Sequence, residues 1–482
     1  MKKKDLRQIN EFLWEIPEEM DRRMLVPARI YASETMLEDI LRDDSAEQLV
    51  RGAMLPGIAT YAIAMPDCHQ GYSVPIGFVG GTRVDGGVVS PGACGFDINC
   101  GMRLLTSNYT YQELTPYLDV LIKKIYEQVP SGLGKGRKEG KQFTATEIDH
   151  ILAKGASYVV SSGFGTSDDL SKCENEGRLE WADPEAVSKQ AKKRGRDQVG
   201  TLGSGNHFLE IQKVDKIFDQ ETASVFGLKE DQVTVMIHCG SRGLGHQVCS
   251  DYLRLLVPAQ KRHGIRIPGR EFVCAPFSSN EGQKYFSAMA AAANYAWANR
   301  QMISYFVRQA WSKALGRKDS FLSPVYDVAH NIIKKEVHDI EGKKEELLIH
   351  RKGATRAFPP GHQEIPEQYQ RVGQPVLIPG SMGTFSYILA GQESGAQSLY
   401  STSHGSGRIM SRNQAKRNFR GEEEVVKLKK QGIKIISDSK RGVAEEAPGA
   451  YKDINEVINI VDKAGLSRKV ARLKPLAVIK GE

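Results

Sequence analysis

The sequence has no Cys-x-x-Cys pair, no run of 18 apolar residues, no internal repeat and no low-complexity segment. Its seven cysteines (Cys68, Cys94, Cys100, Cys173, Cys239, Cys249 and Cys274) are odd in number and dispersed. A disulfide framework and a structural zinc knuckle are therefore not expected. Without a long apolar run, no segment is expected to span a bilayer. The Lys2–Lys4 cluster leads into Asp5 and Arg7 rather than an apolar stretch, so no secretory leader is expected either. A cytoplasmic location is the default expectation. Aromatic residues make up 8% of the 482, hydrophobic residues 40% and charged residues 26%. That composition is ordinary for a globular chain and excludes collagen, a long coiled coil and wholesale disorder.

What is present is an uneven charge. The net value of +8 hides an acidic start, with 9 basic and 12 acidic side chains in residues 1–60. Residues 401–442 hold 11 basic and 4 acidic groups, and residues 186–200 hold 5 and 1. A third basic stretch, Ser131 to Lys141, is rich in glycine. Such clusters suit phosphate backbones. A solvated helix face is the competing reading.

Periodicity places the elements. Residues 5–22 and 33–54 read as amphipathic helices, and 57–107 as short strands joined by tight turns. Residues 112–128 return to helical spacing. Val233–Ile237 reads as a strand ending at His238, and 281–315 as an Ala-rich helix whose aromatic stripe belongs to the core. Gln374–Ile378 and Leu476–Ile479 read as further strands. Strands and helices interleave, so the fold class is α/β or α+β. Length alone suggests about three domains. The chemistry-bearing segments, however, run from residue 66 to residue 480 and must converge, which points to one catalytic domain over residues 1–482.

Four segments offer metal ligands among glycines or at the end of a β-run: Asp97 with Cys100, then His207, His238 and His330. A carboxylate, a thiol and three imidazoles suit borderline divalent ions such as zinc, manganese, cobalt or ferrous iron rather than calcium or magnesium. Five donors exceed what one catalytic ion usually takes. Either one of them stands behind the others, or the thiolate bridges two metals. His404, set between Ser403 and Gly405 with Arg408 four residues on, could be a ligand, a base or a nucleophile toward phosphorus. The small-residue loop Pro379–Gly383 with Ser386 could hold a nucleotide. His350–Arg356 reads either as a fork for terminal phosphates or as an exposed basic loop.

Together these motifs resemble the RtcB-type RNA ligases. The resemblance rests on Pro66–Gly71, the Asp97–Cys100 loop, Gly205–Phe208, Ser241–His246, Asp327–Asn331, His350–Arg356, Pro379–Gly383, His404–Arg408, Ala450–Ile454 and Ile479–Gly481, in the family's order. It implies GTP- and manganese-dependent joining of an RNA 3′-phosphate or 2′,3′-cyclic phosphate end to a 5′-hydroxyl end. It implies that His404 carries GMP, oriented by Asp67. It implies two manganese ions sharing Cys100, one with Asp97 and His207, the other with His238 and His330. The guanine nucleotide would lie against Asn206, His207, Phe208, Leu209 and Glu210, and against His330 and Asn331. Pro379, Gly380, Ser381, Met382 and Ser386 would complete that cradle, with His404, Gly405, Ser406, Gly407 and Lys480. RNA is the implied partner, as tRNA halves or cleaved ends, with an archease-type activator as a further one. Cys68, Cys239 and Ser406 depart from the family's usual pattern without removing a ligand. A metal-dependent phosphoesterase acting on RNA ends is the alternative reading.

Overall fold

The computed structural model describes residues 1–132, 136, 141–269, 271–316 and 321–481. Most of the basic stretch from Ser131 to Lys141 lies outside the described residues, and so does its reading as a phosphate contact. The architecture is mixed α/β, as expected, with two large sheets. Among the described residues no helix is long and apolar enough to cross a membrane.

The first sheet runs in the order Arg7–Asn10, Leu13–Ile16, Ala28–Tyr31, Ile58–His69, Ile76–Arg83, Lys343–Lys352 and Asn331–Ile340. Its neighbours are antiparallel except for Ala28–Tyr31 against Ile58–His69. Its start corrects the helix expected over residues 5–22. Leu6, Ile9, Leu13 and Ile16 fall at helical spacing, but they belong to a hairpin. The turn forms because the Asn10 Oδ1 accepts the Phe12 N–H at 3.0 Å, a local bond that competes with helix. Ile9 is left 47% exposed while Leu13, Trp14 and Ile16 are buried. The helical reading of 33–54 resolves into two helices, Glu34–Ile40 and Ser45–Gly52.

The second sheet carries the site. Its order is Leu322–Ala329, Gly101–Thr110, Gln232–Cys239, Phe208–Ile217, Ser467–Lys480, Ser386–Gly391 and Pro375–Ile378, with Lys434–Ser437 added in parallel to Ser467–Lys480. Register decides what meets what. Gly101 pairs with both Ala329 and Cys239, and His238 pairs with both Met102 and Phe208. Phe208 in turn pairs with Lys480. One end of five neighbouring strands therefore gathers Cys100, His207, His238, His330 and Lys480.

Behind this sheet runs the helix Asn280–Leu315, capped by the Ser279 hydroxyl and ended by Gly316 at φ 63°. Its aromatics Tyr285, Tyr295, Trp297 and Trp311 are fully buried, as the core reading required. It also buries polar groups that serve the loops packed on it. Asn299 Oδ1 accepts the Gly200 N–H at 2.7 Å, and Asn99 Nδ2 donates to the Ala293 carbonyl at 2.8 Å. Such buried amides persist because they are satisfied.

Candidate active site

The five proposed ligands meet. Asp97, Cys100 and His207 form one cluster, and Cys100, His238 and His330 form another, with donor atoms inside each within 4.8 Å of one another. Cys100 Sγ is common to both, 3.4 Å from His207 Nε2 and 3.2 Å from His238 Nε2. Asp97 Oδ2 lies 2.7 Å from His207 Nε2, and the His238 and His330 Nε2 atoms are 3.3 Å apart.

The outer shell prepares these groups. His207 Nδ1–H donates to the Leu202 carbonyl at 3.0 Å, and His238 Nδ1–H donates to the Asn206 carbonyl at 3.1 Å. At His238 this leaves the Nε2 lone pair toward Cys100, as a ligating histidine requires. At His207 burial opposes the charge, but Cys239, Cys100 and Asp97 outweigh it and hold the imidazole well above its ordinary pKa, so a bound cation would displace the Nε2 proton that faces Asp97. Cys239, one of the departures, has its thiol against the Leu202 carbonyl at 2.9 Å and accepts from Asn299 Nδ2 at 3.2 Å. It makes the bonds a hydroxyl would make there. Arg300 is buried behind both clusters. It donates to the Asn99 carbonyl at 2.7 Å and the Cys239 carbonyl at 2.8 Å, and it pairs with Asp327. One guanidinium thus ties three ligand-bearing segments together.

Electrostatics fit a cation. Burial, with His207 and His404 nearby, holds the His238 imidazole well below its ordinary pKa, and burial with His404 and His238 does the same to His330. Both stay neutral and able to ligate. Burial and the Asp97 carboxylate push the Cys100 thiol up to about 12. A bound cation would reverse that and take the thiolate. Burial opposes the Asp97 charge, but His207 and its hydrogen bond outweigh it and bring the carboxyl down to about 2. His330 Nδ1 is buried without a hydrogen-bond partner among the described residues. The donor set and the fixed tautomers suit a pair of divalent ions of the borderline class.

A cavity of about 660 Å³ opens beside the second cluster. Its lining includes Asn206, Phe208, His238, Pro379, Gly380, Ser381, Met382, His404, Gly405, Ser406, Gly407 and Lys480. His404 follows the strand Ser401–Ser403, paired with Ala354–Arg356, and meets Asp67 from the strand Ile58–His69. One oxygen, Asp67 Oδ2, accepts from His404 Nδ1–H at 2.6 Å, His404 N–H at 2.9 Å and Gly405 N–H at 3.1 Å. Burial works against the Asp67 charge, but His404 and these bonds hold the carboxyl below its ordinary value. With Nδ1 protonated toward Asp67, the His404 lone pair is at Nε2. The His404 ring packs edge-on against His330, 4.9 Å between centroids, so it abuts the second cluster. Gly407 sits at φ 71°, and a Cβ there would lie 2.1 Å from the Asp67 carbonyl oxygen. Only glycine closes this loop onto Asp67.

The remaining candidates stand farther back. Phe208 and Leu209 alternate along their strand, so Phe208 reaches the cavity while Leu209 packs in the core. Glu210 is buried, takes a hydrogen bond from Gln212 at 2.7 Å, and is raised to about 8 by burial. Ser386 Oγ accepts from the same amide at 3.0 Å. Lys480 Nζ donates to the Gly205 carbonyl at 2.8 Å and lies 3.5 Å from Glu446. Asn331 braces the first cluster's loop by donating to the Asp97 carbonyl at 3.1 Å.

A family model described as tRNA-splicing ligase RtcB matches residues 48–481. The chain belongs to this family. It is 51% identical over 480 residues to the tRNA-splicing ligase RtcB of Thermococcus kodakarensis, covering 99% of both chains. It is 52% identical to that of Archaeoglobus fulgidus and 49% to that of Nanoarchaeum equitans, with the same coverage. The cavity also holds residues that the sequence motifs alone did not assign: His69, Arg408, Arg412, Glu446 and Tyr451. For His69, Arg408 and Tyr451 the signal lay in the Pro66–Gly71, His404–Arg408 and Ala450–Ile454 motifs themselves, whereas Arg412 and Glu446 lie outside every motif. His350–Arg356 is neither a phosphate fork nor an exposed loop. Arg351 pairs with Glu336 at 2.9 Å, and Arg356 pairs with Glu174 at 3.1 Å and Glu364 at 2.6 Å, all but Glu364 being buried. Of the basic groups in 401–442, Arg408 and Arg412 line the cavity, each beside a carboxylate, Glu446 at 3.2 Å and Glu445 at 3.3 Å, and Lys416, Lys427 and Lys440 are paired with Glu445, Glu424 and Glu422.

Proposed function

We propose that the protein is an RNA ligase that consumes GTP and joins an RNA 3′-phosphate or 2′,3′-cyclic phosphate end to a 5′-hydroxyl end. The observation that carries this reading is the Asp67–His404 pair, set between the cavity and the two clusters that share Cys100. A histidine whose Nδ1–H is fixed on a buried carboxylate presents Nε2 as a nucleophile. Its Nε2 attacks the α-phosphorus of GTP, the bond to the pyrophosphate oxygen breaks, and a GMP phosphoramidate forms on His404. An RNA 3′-phosphate oxygen then takes the GMP, freeing His404. The 5′-hydroxyl attacks the activated 3′-phosphorus and GMP leaves. A cyclic phosphate is first opened by water.

The reason for the detour is leaving-group chemistry. A bare phosphate monoester is doubly charged and gives an attacking hydroxyl no good leaving group. A GMP anhydride does. Arg408 and Arg412 stand at the cavity wall, paired with Glu446 at 3.2 Å and Glu445 at 3.3 Å, and a phosphate would compete with those carboxylates for their N–H groups. Ser406 Oγ, buried without a partner among the described residues, offers a hydroxyl to a phosphate oxygen. Two manganese ions on the paired clusters would neutralise the phosphates of GTP and of the RNA end during in-line displacement. The names of the relatives support tRNA halves as the substrate, and cleaved RNA ends share the same termini.

The test is incubation with GTP labelled at the α-phosphate and manganese, followed by denaturing electrophoresis. An acid-labile labelled protein is expected, and His404→Ala abolishes it. Metal-dependent release of phosphate from RNA ends with no adduct would establish the phosphoesterase alternative instead.

A further inference from the structure

The joining reaction needs two strands, and the cavity accounts for only one approach. His404 and His238 line it, but Asp97 and His207 of the other cluster do not. His207 is buried, whereas the Asp97 side chain is 30% exposed, so the first cluster opens to solvent through Asp97. What stands beside that opening is aromatic. Phe96 is the chain neighbour of Asp97 and stacks on His246, with centroids 4.9 Å apart and planes at 29°. Tyr72 meets Phe96 edge-on at 5.4 Å and 62°, and remains 42% exposed.

Tyr72 is not on a loose segment. Gly71 exchanges two hydrogen bonds with the Gln48 amide, at 2.8 and 2.9 Å. The buried Lys352 donates to the carbonyls of Tyr72 and Val74, the latter at 3.1 Å. The backbone on both sides of the ring is therefore pinned from below while the ring is presented outward. Gly71 itself lines the cavity, so the aromatic group borders the proposed nucleotide site. The surroundings are of mixed charge, with Glu271 near the Tyr72 ring, Asp43 and Asp44 bonded to Gln70, and Arg194 near His246. Arg194 is exposed, donates to Gln247 at 2.9 Å, and has no carboxylate partner among the described residues. Burial and Arg194 hold the His246 imidazole below its ordinary pKa, which keeps it neutral as a stacking ring.

We infer that Tyr72, Phe96 and His246 form a stacking platform for the terminal base of the RNA strand that brings the 5′-hydroxyl, placing that strand on the Asp97 side of the paired clusters. The inference rests on the ligase reading and deepens it. Unstacked RNA bases are taken up on aromatic faces, with arginine on the adjoining phosphates. The platform consists of three rings. It reads no hydrogen-bonding edge, so it accepts any terminal base, as a ligase serving varied ends requires.

The experiment uses the full chain and a short 5′-hydroxyl oligoribonucleotide carrying the fluorescent base 2-aminopurine, either at the 5′ terminus or six nucleotides in. Binding is measured without GTP. Stacking quenches the probe, so quenching is expected at the terminus and not at the internal site. Tyr72→Ala is expected to abolish terminal quenching and to weaken binding by about 5- to 100-fold. Tyr72→Trp is expected to retain both. His246→Ala, on an exposed helix position, gives the same readout should Tyr72→Ala prove unstable. Terminal quenching that survives both alanine variants, or equal quenching at the two probe positions, overturns the platform. Failure of the ligase reading shows separately, as absence of the GMP adduct on the unmodified protein.

Discussion

Replacing Asp327 by asparagine tests how the site is held. Asp327 is 1% exposed and lies between two guanidiniums that are equally buried. Its Oδ2 accepts from Arg103 Nε at 2.7 Å and Arg300 Nε at 2.9 Å, and its Oδ1 from Arg300 Nη2 at 2.8 Å. Burial opposes its charge, but Arg300 and Arg103 outweigh burial and hold the carboxyl below its ordinary value. The substituted amide would keep the shape, lose the charge and turn one N–H toward an arginine N–H. Two cations would then be buried without a counter-charge. Breaking a buried pair in this way costs about 3–5 kcal/mol. With an unfolding entropy near 2 cal/mol/K per residue, a cooperative unit of 482 residues turns that into a drop of about 3–5 °C in the thermal midpoint. Glu221→Gln is the control. It removes an ion pair with Arg371 whose partners are 71% and 73% exposed, and should move the midpoint by less than about 1 °C. Scanning calorimetry of the three proteins reads the difference. Because Arg300 also holds the Asn99 and Cys239 carbonyls, Asp327→Asn should lower the bound-metal content as well. Equal midpoints for Asp327→Asn and Glu221→Gln would refute the view that this triad holds the site together.

Asp67→Asn should slow formation of the GMP adduct about 100-fold or more by releasing the His404 tautomer, with the fold intact by circular dichroism; an unchanged rate would remove Asp67 from the mechanism. Gly407→Ala should cost about 1–3 kcal/mol in urea unfolding and depress adduct formation with it, since its Cβ would collide with the Asp67 carbonyl. Glu210 is raised from 4.5 to about 8 in the fold, so the folded state binds the extra proton and stability falls as pH rises from about 4.5 to 8. That loss is about 5 kcal/mol in all. Glu210→Gln should flatten this slope, and an identical slope in the variant would refute it.

The chemistry was legible in the sequence because it resides in residue identities and short spacings. A thiol, a carboxylate and three imidazoles beside glycine turns name a class of metal whatever the fold. The strands ending at His238 and Ile378 and the long apolar helix were legible through period and length. The N-terminal hairpin was not, because Leu6, Ile9, Leu13 and Ile16 satisfy a helical period. The choice was made by the Asn10 turn and by burial against residues far along the chain.

By itself, then, the sequence determined the donor set, the His404 loop and the family pattern. Residue spacing left open whether one donor stands back or the thiol is shared, and the division on one thiol came from the resemblance alone; the physical means of it is tertiary, the register of five strand ends from residue 101 to residue 480. Only the tertiary structure decided which charges face the cavity. Arg351 and Arg356 look like phosphate ligands in sequence, yet Glu336 on the neighbouring strand and Glu174, distant in the chain, hold them in the interior. A basic motif carries no record of its counter-ion, so only folding shows whether its charge is free to meet a phosphate.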